Sequence, residues 1–427
     1  MEIKEFLELT KKKGIEETQI NINSTSEIEI KTINERMKEN STNINEVYNI
    51  LAKINNKYVQ VSANYLSEDL IDLLMLEADN LEVNYEEEFV HENIEGDNSV
   101  KPDFNTKNEL EDLLELNNLR KENYPLVEYI EGYYGMISEK TRIINTLGID
   151  ISTESVDYIL YISVSAKKED ITESYSDVIY TTKKEDIEIE KLAKEVMSIA
   201  EKSLEKESIK SNKYLTVLSS DFMSNILSRM IPLFSSEQVR KKASCFEGKL
   251  NKKIFSDKIT IIEDPLNKDM PAYTLFDYDG TKTQKKNLIE NGILKTYLYN
   301  NKEAKLAKTT STGNGYSNIS ARNMYIKPGS KTKEELISEI KDGLYIRTYQ
   351  ESGGTTVNPT TGIISVQVFG SSIKDGKLGT DFEPCVLTIN LFDLLSNVVE
   401  IGNDLVYKTS ITASPTIVVD NVSISSN

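Results

Sequence analysis

The residue types that most often carry hydrolytic or metal chemistry are scarce in this sequence of 427 residues: one histidine, His91, and two cysteines, Cys245 and Cys385. A zinc peptidase of the HExxH kind needs two imidazoles on one helix, and Ser-His-Asp or Cys-His catalysis needs an imidazole as general base. Any such chemistry would have to run through His91. That residue stands among glutamates in the aperiodic stretch YEEEFVHENIEGDNSVKPDF, the setting of a solvated side chain rather than of a built base. The cysteines lie far apart without CxxC spacing, which fits neither a disulfide scaffold nor a zinc knuckle, and small buried thiols are expected. The acid pairs Asp277/Asp279 and Glu263/Asp264 lack the Asp-Thr/Ser-Gly setting of an aspartic protease and are expected in solvated loops. TGNGY, with Asn314 and Gly315 at its centre, lacks the Gly-Lys-Ser/Thr ending of a phosphate loop and predicts a turn. No catalytic and no metal-binding residue is assigned to the chain.

Charge narrows the partners. Against 50 Lys+Arg stand 69 Asp+Glu, a formal net of -19, so the long-range field repels phosphate backbones and anionic lipid headgroups. Neither nucleic acid nor a membrane surface is expected as a partner. The opening MEIKEFLELTKKKG has apolar residues on a helical period among charges, unlike a signal peptide, and no segment approaches the roughly 20 apolar residues of a membrane span. A cytoplasmic protein is expected.

The elements that would position any site alternate in type. Glu2 to Lys13 carries a helical period closed by Gly14, which suits a left-handed cap. QININ and EIEIK alternate as half-buried strands do, and EVYNILAKI and KYVQV flank Asn55-Asn56, a hairpin turn. Ser67 is placed to cap the helix EDLIDLLMLEADNL. Leucines from 110 to 116 mark another helix, broken by Pro125. Strand-like runs then follow up to the amphipathic IEIEKLAKEVMSIAEKSL. Two runs of strands each closed by a helix predict an α+β domain with antiparallel sheets over residues 1–205.

From 214 to 427 a second, mostly-β domain is expected, its turns rich in Gly, Asn, Asp and Pro. It opens with a strand and a helix starting near Asp221, which Pro232 ends or kinks. Thr332 and Glu335 form a capping-box pattern for EELISEIKDG, with Gly343 as its stop. GGTTVNPTTG joins Gly353 and Gly354 to Asn358 and Pro359 beside the strand IISVQVFG. If that strand lies at an edge, it can receive an extended peptide by main-chain pairing. On this reading Gly353, Gly354, Asn358, Asn314 and Gly315 are the candidate substrate-binding residues.

Five motifs in order then carry a resemblance: TLFDYDGTKTQKKNLIENGILKTYLYNNKEAKLAK, TGNGYSNISARNMYIKPG, GGTTVNPTTG, LTINLFDLLSNVVEIGNDL and SPTIVVDNVSIS. Together they resemble the TldD/PmbA family, the so-called modulators of DNA gyrase, over roughly residues 214 to 425. The resemblance implies two α+β domains, and it implies a cytoplasmic zinc peptidase whose TldD-type chain pairs with a homologous TldE/PmbA subunit. TldD-type chains carry an HExxxH motif on a mid-sequence helix and a cysteine near the C-terminus. Here the matching helix reads FMSNILSRMIPLF, with Leu, Ser, Arg, Ile or Pro where ligands and base belong, and GNDLVYKTSITASPT holds no cysteine. The resemblance therefore implies the TldE/PmbA branch: a subunit without a cofactor of its own, not expected to hydrolyse alone, whose zinc sits in the partner. The expected partners are a TldD-type homologue in a heterodimer, or a second copy in a homodimer, and an unfolded peptide substrate. The alternative is a stand-alone homodimer that binds peptides without cleaving them.

Overall fold

A computed structural model describes residues 1–82, 89–95, 104–350 and 356–426. The chain opens with α1 (Ile3–Lys12), after which Gly14 turns at φ +87°, as its place after the last lysine predicts. Next come β1 (Glu17–Ile33), β2 (Arg36–Ile54), β3 (Lys57–Ala63) and α2 (Glu68–Asn80). Asn55 and Asn56, at φ 50° and 59°, make the predicted tight turn between β2 and β3. Ser67 does precede α2, but its hydroxyl makes no capping hydrogen bond. Then follow α3 (Thr106–Asn123), β4 (Val127–Asn145), β5 (Asp150–Lys168), β6 (Ile171–Thr181) and α4 (Ile189–Lys202).

The two runs of strands form one sheet, not two. β1 pairs antiparallel with β4 from Gln19↔Asn145 to Ile33↔Glu131, so the order is β3-β2-β1-β4-β5-β6. QININ and EIEIK prove to be halves of a single strand. The Ser24-Thr25-Ser26 stretch between them shows no apolar alternation, yet β2 and β4 hydrogen-bond it from both sides and carry it through. At about 3.3 Å per residue the 19-residue strands run roughly 60 Å. One helix pair cannot cover that length. Phe6, Leu7, Ile71 and Leu74 of α1 and α2 pack on Ile20, Ile50 and Val59 at one end. Leu113, Leu116, Leu192 and Val196 of α3 and α4 pack on Tyr134, Leu160 and Val164 at the other.

The second half begins with β7 (Lys206–Glu207), β8 (Asn212–Leu218), α5 (Ser220–Phe234) and α6 (Ser236–Arg240). Pro232 lies inside α5, and the helix ends two residues after it, at Phe234. β9 (Ile261–Glu263), β10 (Lys286–Glu290), β11 (Ile293–Leu294), α7 (Asn301–Ala307), β12 (Met324–Ile326) and α8 (Lys333–Ser338) come next. The Thr332/Glu335 capping box is present in full. Gly343 does not close α8: it belongs to β13 (Asp342–Gln350), where a Cβ would meet the Leu215 carbonyl oxygen at 2.5 Å. The chain finishes with β14 (Ile363–Lys374), β15 (Lys377–Phe382), β16 (Cys385–Asn390), α9 (Leu391–Ser396), β17 (Val398–Ile401), β18 (Val406–Tyr407), β19 (Thr412–Ser414) and β20 (Ile417–Ser425).

These strands make a small sheet, β11-β10-β9-β12-β19-β18, and a large one, β13-β8-β20-β16-β14-β15-β7. Phe222, Ile226, Leu227 and Met230 of α5 belong to the core between them, with Met324 of the small sheet and Leu344, Val366, Leu387 and Val419 of the large one. The halves are also bonded to each other. Asn21 Nδ2 donates to the Tyr278 carbonyl at 2.7 Å, the Leu275 N–H donates to Thr153 Oγ1 at 3.1 Å, and Lys408 pairs with Asp177 at 2.6 Å. Among the described residues no helix is long and apolar enough to cross a membrane.

Candidate functional site

The strand expected to lie at an edge does not. β14 pairs with β13 along Gln367–Lys374 and with β16 along Ile363–Val368, so it is an interior strand. Free edges occur elsewhere. β6 is the terminal strand of the first sheet and, among the described residues, pairs only with β5. β13 pairs with β8 only over Leu344–Ile346, because the Ser219 N–H takes the Ile346 carbonyl and the chain turns there into α5. The Arg347 carbonyl is taken by the Ser219 hydroxyl, and among the described residues 348–350 have no strand on that side.

These two edges line one cleft between the halves. A cavity of about 380 Å³ is lined by Glu173–Ser176 of β6 and by Arg347–Gln350 of β13. A second, of about 310 Å³, is lined by Ser176–Val178, Thr348 and Tyr349 together with Asp221, Asn225 and Arg229 of α5. Consecutive residues of each strand contribute, so it is the strand edge that meets the cavity and not one face.

Charged groups anchor both walls. Arg347 holds Asp381 with Nη1 to Oδ2 at 3.0 Å and Nη2 to Oδ1 at 2.8 Å, and its guanidinium lies 5.5 Å from the Tyr175 ring centroid. Ser371 and Ser203 hydroxyls donate to the same carboxylate at 2.5 and 2.7 Å. Burial alone would raise Asp381, but the guanidinium and hydroxyl bonds hold it below the usual carboxylate range. Asp221 shifts the other way: burial raises it, with the nearby Asp177 adding to the rise and hydrogen bonds from Thr348 and Asn225 opposing it. Asp177 is itself held by Lys408, at 2.6 and 2.7 Å.

Alpha-5 forms the floor, and its composition decides what chemistry is open to it. Ser219 caps it, accepting from the Phe222 N–H at 3.0 Å. At the positions where the HExxxH pattern would fall, Leu227 and Ile231 are buried in the core, Ser228 is half-buried, and Arg229 and Pro232 are exposed. None of these side chains is a zinc ligand, and among the described residues no group of three His, Cys, Asp or Glu could hold a metal. The donor set of this helix does not fit zinc. What remains is main-chain hydrogen bonding along two strand edges, framed by ion pairs.

The described residues among those singled out in sequence have separate surroundings. Gly353 and Gly354 lie outside the described residues. Asn358 is an exposed turn residue whose Oδ1 accepts from the N–H groups of Thr360 and Thr361 at 3.1 and 3.0 Å. Asn314 is fully buried: its Nδ2 donates to Glu263 and the Ser320 carbonyl, and its Oδ1 accepts from Thr312 and Lys286. Four bonds exhaust the amide, so it has nothing left for a substrate. Gly315 packs for space, since a Cβ there would meet Asp279 Oδ2 at 2.4 Å. His91 is exposed, Cys385 is buried and Cys245 is half-buried. Asp177, Asp221, Arg347, Asp381 and Lys408, which frame the cleft, carry no local spacing signal. They come from five separate elements or loops.

Residues 211–426 match the PmbA/TldA metallopeptidase C-terminal domain, and residues 100–204 match its central domain. An uncharacterized protein of Methanocaldococcus jannaschii is 31% identical over 276 residues, 63% of each chain. A metalloprotease PmbA homolog of Haemophilus influenzae is 27% identical over 66% of this chain and 62% of its own length. The chain thus spans less than two thirds of these relatives. Among solved structures, a Thermotoga maritima protein described as a modulator of a DNA gyrase superposes with a TM-score of 0.88 at 24% identity, over 99% of both chains. TldE from Thermococcus kodakarensis gives 0.85 at 20% identity, over 99% of this chain and 100% of that one. These two likenesses establish the fold, while the domain matches, spanning from residue 100 to residue 426, establish that the chain belongs to the PmbA/TldD family.

Proposed function

We propose that this chain is a TldE/PmbA-like subunit that holds no zinc and cleaves nothing alone, but binds an unfolded peptide beside a zinc-bearing TldD-type homologue. One observation carries this reading: the cleft keeps two unpaired strand edges, on β6 and β13, while the helix beneath them presents Leu227, Ser228, Ile231 and Pro232 in place of ligands and base. An extended chain entering the cleft finds N–H and C=O groups on both sides, and such pairing is indifferent to side-chain identity. The Asp177–Lys408 pair ties the β6 edge to the second half, and the Arg347–Asp381 pair holds the β13 edge against β15. Homologous subunits associate readily through pseudo-two-fold contacts, so self-pairing is expected when the homologue is missing.

The test has two parts. Metal analysis after dialysis should find no stoichiometric zinc in the purified chain, and a mixture with an HExxxH-bearing homologue should cleave an unfolded peptide that neither chain cleaves alone. A full equivalent of retained zinc would overturn the subunit reading. An inert mixture, with the peptide still bound to this chain, would establish the stand-alone peptide binder instead.

A further inference from the structure

A second cleft between the halves has a different chemistry. Its one wall is a face of the first sheet, where Asn21 stands opposite Asn49, and Gln60 opposite Leu51. Its other wall is Tyr278 and the Asn300-Asn301 pair that leads into α7. The enclosed volume is about 400 Å³, within the roughly 300–1,000 Å³ of small-molecule sites.

Gln19 and Asn21 spend their amide nitrogens inside the wall, on Asn21 Oδ1 at 3.1 Å and on the Tyr278 carbonyl at 2.7 Å, but four other carboxamides have only their oxygens engaged. Asn300 Oδ1 accepts the Glu303 N–H at 2.9 Å, a bond that only the oxygen can accept. Asn23 Oδ1 accepts from Thr141 Oγ1 at 3.2 Å, Asn49 Oδ1 from Ser62 Oγ at 2.6 Å, and Asn301 Oδ1 from Thr281 Oγ1 at 2.9 Å. The four amide nitrogens have no partner among the described residues. Asp279 at the margin is turned inward, accepting the Asn301 N–H at 3.0 Å, and Lys302 is exposed with a partner of its own.

Such a wall offers oriented, uncharged donors. An anion would find no unpaired cation, and an apolar ligand would desolvate the amides without repaying their hydrogen bonds. An extended peptide could offer its carbonyls to these donors, but its N–H groups would meet donors and stay unpaired, whereas every hydroxyl oxygen of a polyol can accept. We propose that this cleft binds a neutral polyhydroxylated ligand of the size of a disaccharide. Its hydroxyl oxygens accept from Asn23, Asn49, Asn300 and Asn301, and the apolar face of a ring packs on Tyr278.

Titration calorimetry of the full chain against maltose, cellobiose, lactose and N,N′-diacetylchitobiose tests this, with a blocked neutral tripeptide as control. At least one disaccharide should bind at one per chain. Asn49→Asp, which keeps the acceptor for Ser62 and removes the donors, should weaken it about tenfold. Gln60 lines the same wall and is exposed, so Gln60→Ala should weaken the same ligand with an unchanged melting temperature. The proposal is overturned if no disaccharide saturates the chain at about 10 mM. It is equally overturned if both variants bind as the parent does, or if the tripeptide binds and these variants weaken it.

Discussion

Single carboxylates show how far an acid can depart from the solvated loop that its neighbours suggest. Glu263 and Asp277 are fully buried. Glu263 is held by Lys286 at 2.6 Å and by Asn314. Asp277 accepts the N–H groups of Asp279, Thr281 and Gly315, while burial and the neighbouring Asp279 push it up to about 8. In sequence these acids look like any turn carboxylate, because Lys286, Gly315 and Asn314, which help to bury them, stand 23, 38 and 51 positions away. Asp157 joins β5 to the second half by accepting the Ala272 N–H at 3.3 Å, and its Oδ1 is buried without a hydrogen bond. Burial pushes it up to about 7. Folding therefore favours its protonated form. That contribution is whole below the unfolded value near pH 4 and is lost as pH rises through about 7, with a slope of at most about 1.4 kcal/mol per pH unit. Asp157→Asn keeps an acceptor for Ala272 and abolishes the titration. Its urea midpoint should fall less than the parent's between pH 4 and 7, and parallel curves would contradict the assignment.

At the scale of elements, the Arg347–Asp381 pair ties β13 to β15 in the wall of the cleft between β6 and β13. Both side chains are nearly buried, so removing one partner strands a charge. Arg347→Met should cost about 3–5 kcal/mol in equilibrium unfolding, and Arg347→Met with Asp381→Leu should recover most of it. If the double variant is no better than the single, the pair is not the source of the loss. Ser219→Ala removes the cap of α5 and its bond to the Arg347 carbonyl, and should cost about 1–2 kcal/mol by the same measurement. Elements with a strong period were legible in the sequence: α1, α3, α4, α5 and the β2–β3 hairpin all fall where the apolar stripes and Asn55-Asn56 put them. The long strands were not, since Arg36–Asn45 has polar residues at nearly every position and owes its extension to pairing with β1. Nor was the cleft, because strand edges are a property of which neighbour is missing. IISVQVFG has the composition of either an edge or an interior strand.

For the whole molecule, the Lys408–Asp177 pair is an ion pair that closes the cleft across the halves, beside the Ser203–Asp381 hydrogen bond, with side chains only 9% and 11% exposed. Lys408→Met leaves Asp177 facing Asp221 without its cation. Hydrogen exchange along β6 should then rise markedly while exchange in β1 and β4 stays slow, and unchanged protection of β6 would show that the pair does not hold the halves together. The overall α+β architecture was visible from the two strand-then-helix runs, but their fusion into one sheet was not. That fusion depends on β1 and β4 meeting across a separation of more than a hundred residues, where no local pattern reports it.

The same pairing has a consequence for synthesis. β1 lies at the middle of its sheet, and its partner on one side ends at Asn145, so a growing chain carries Ile20, Ile22 and Ile30 half-covered until that stretch leaves the ribosome. At about 5–20 residues per second the wait lasts several seconds, during which the β1–β2 hairpin presents a long unsatisfied margin. Nascent chains stalled before residue 145 should be far more avid for chaperones than those stalled beyond it.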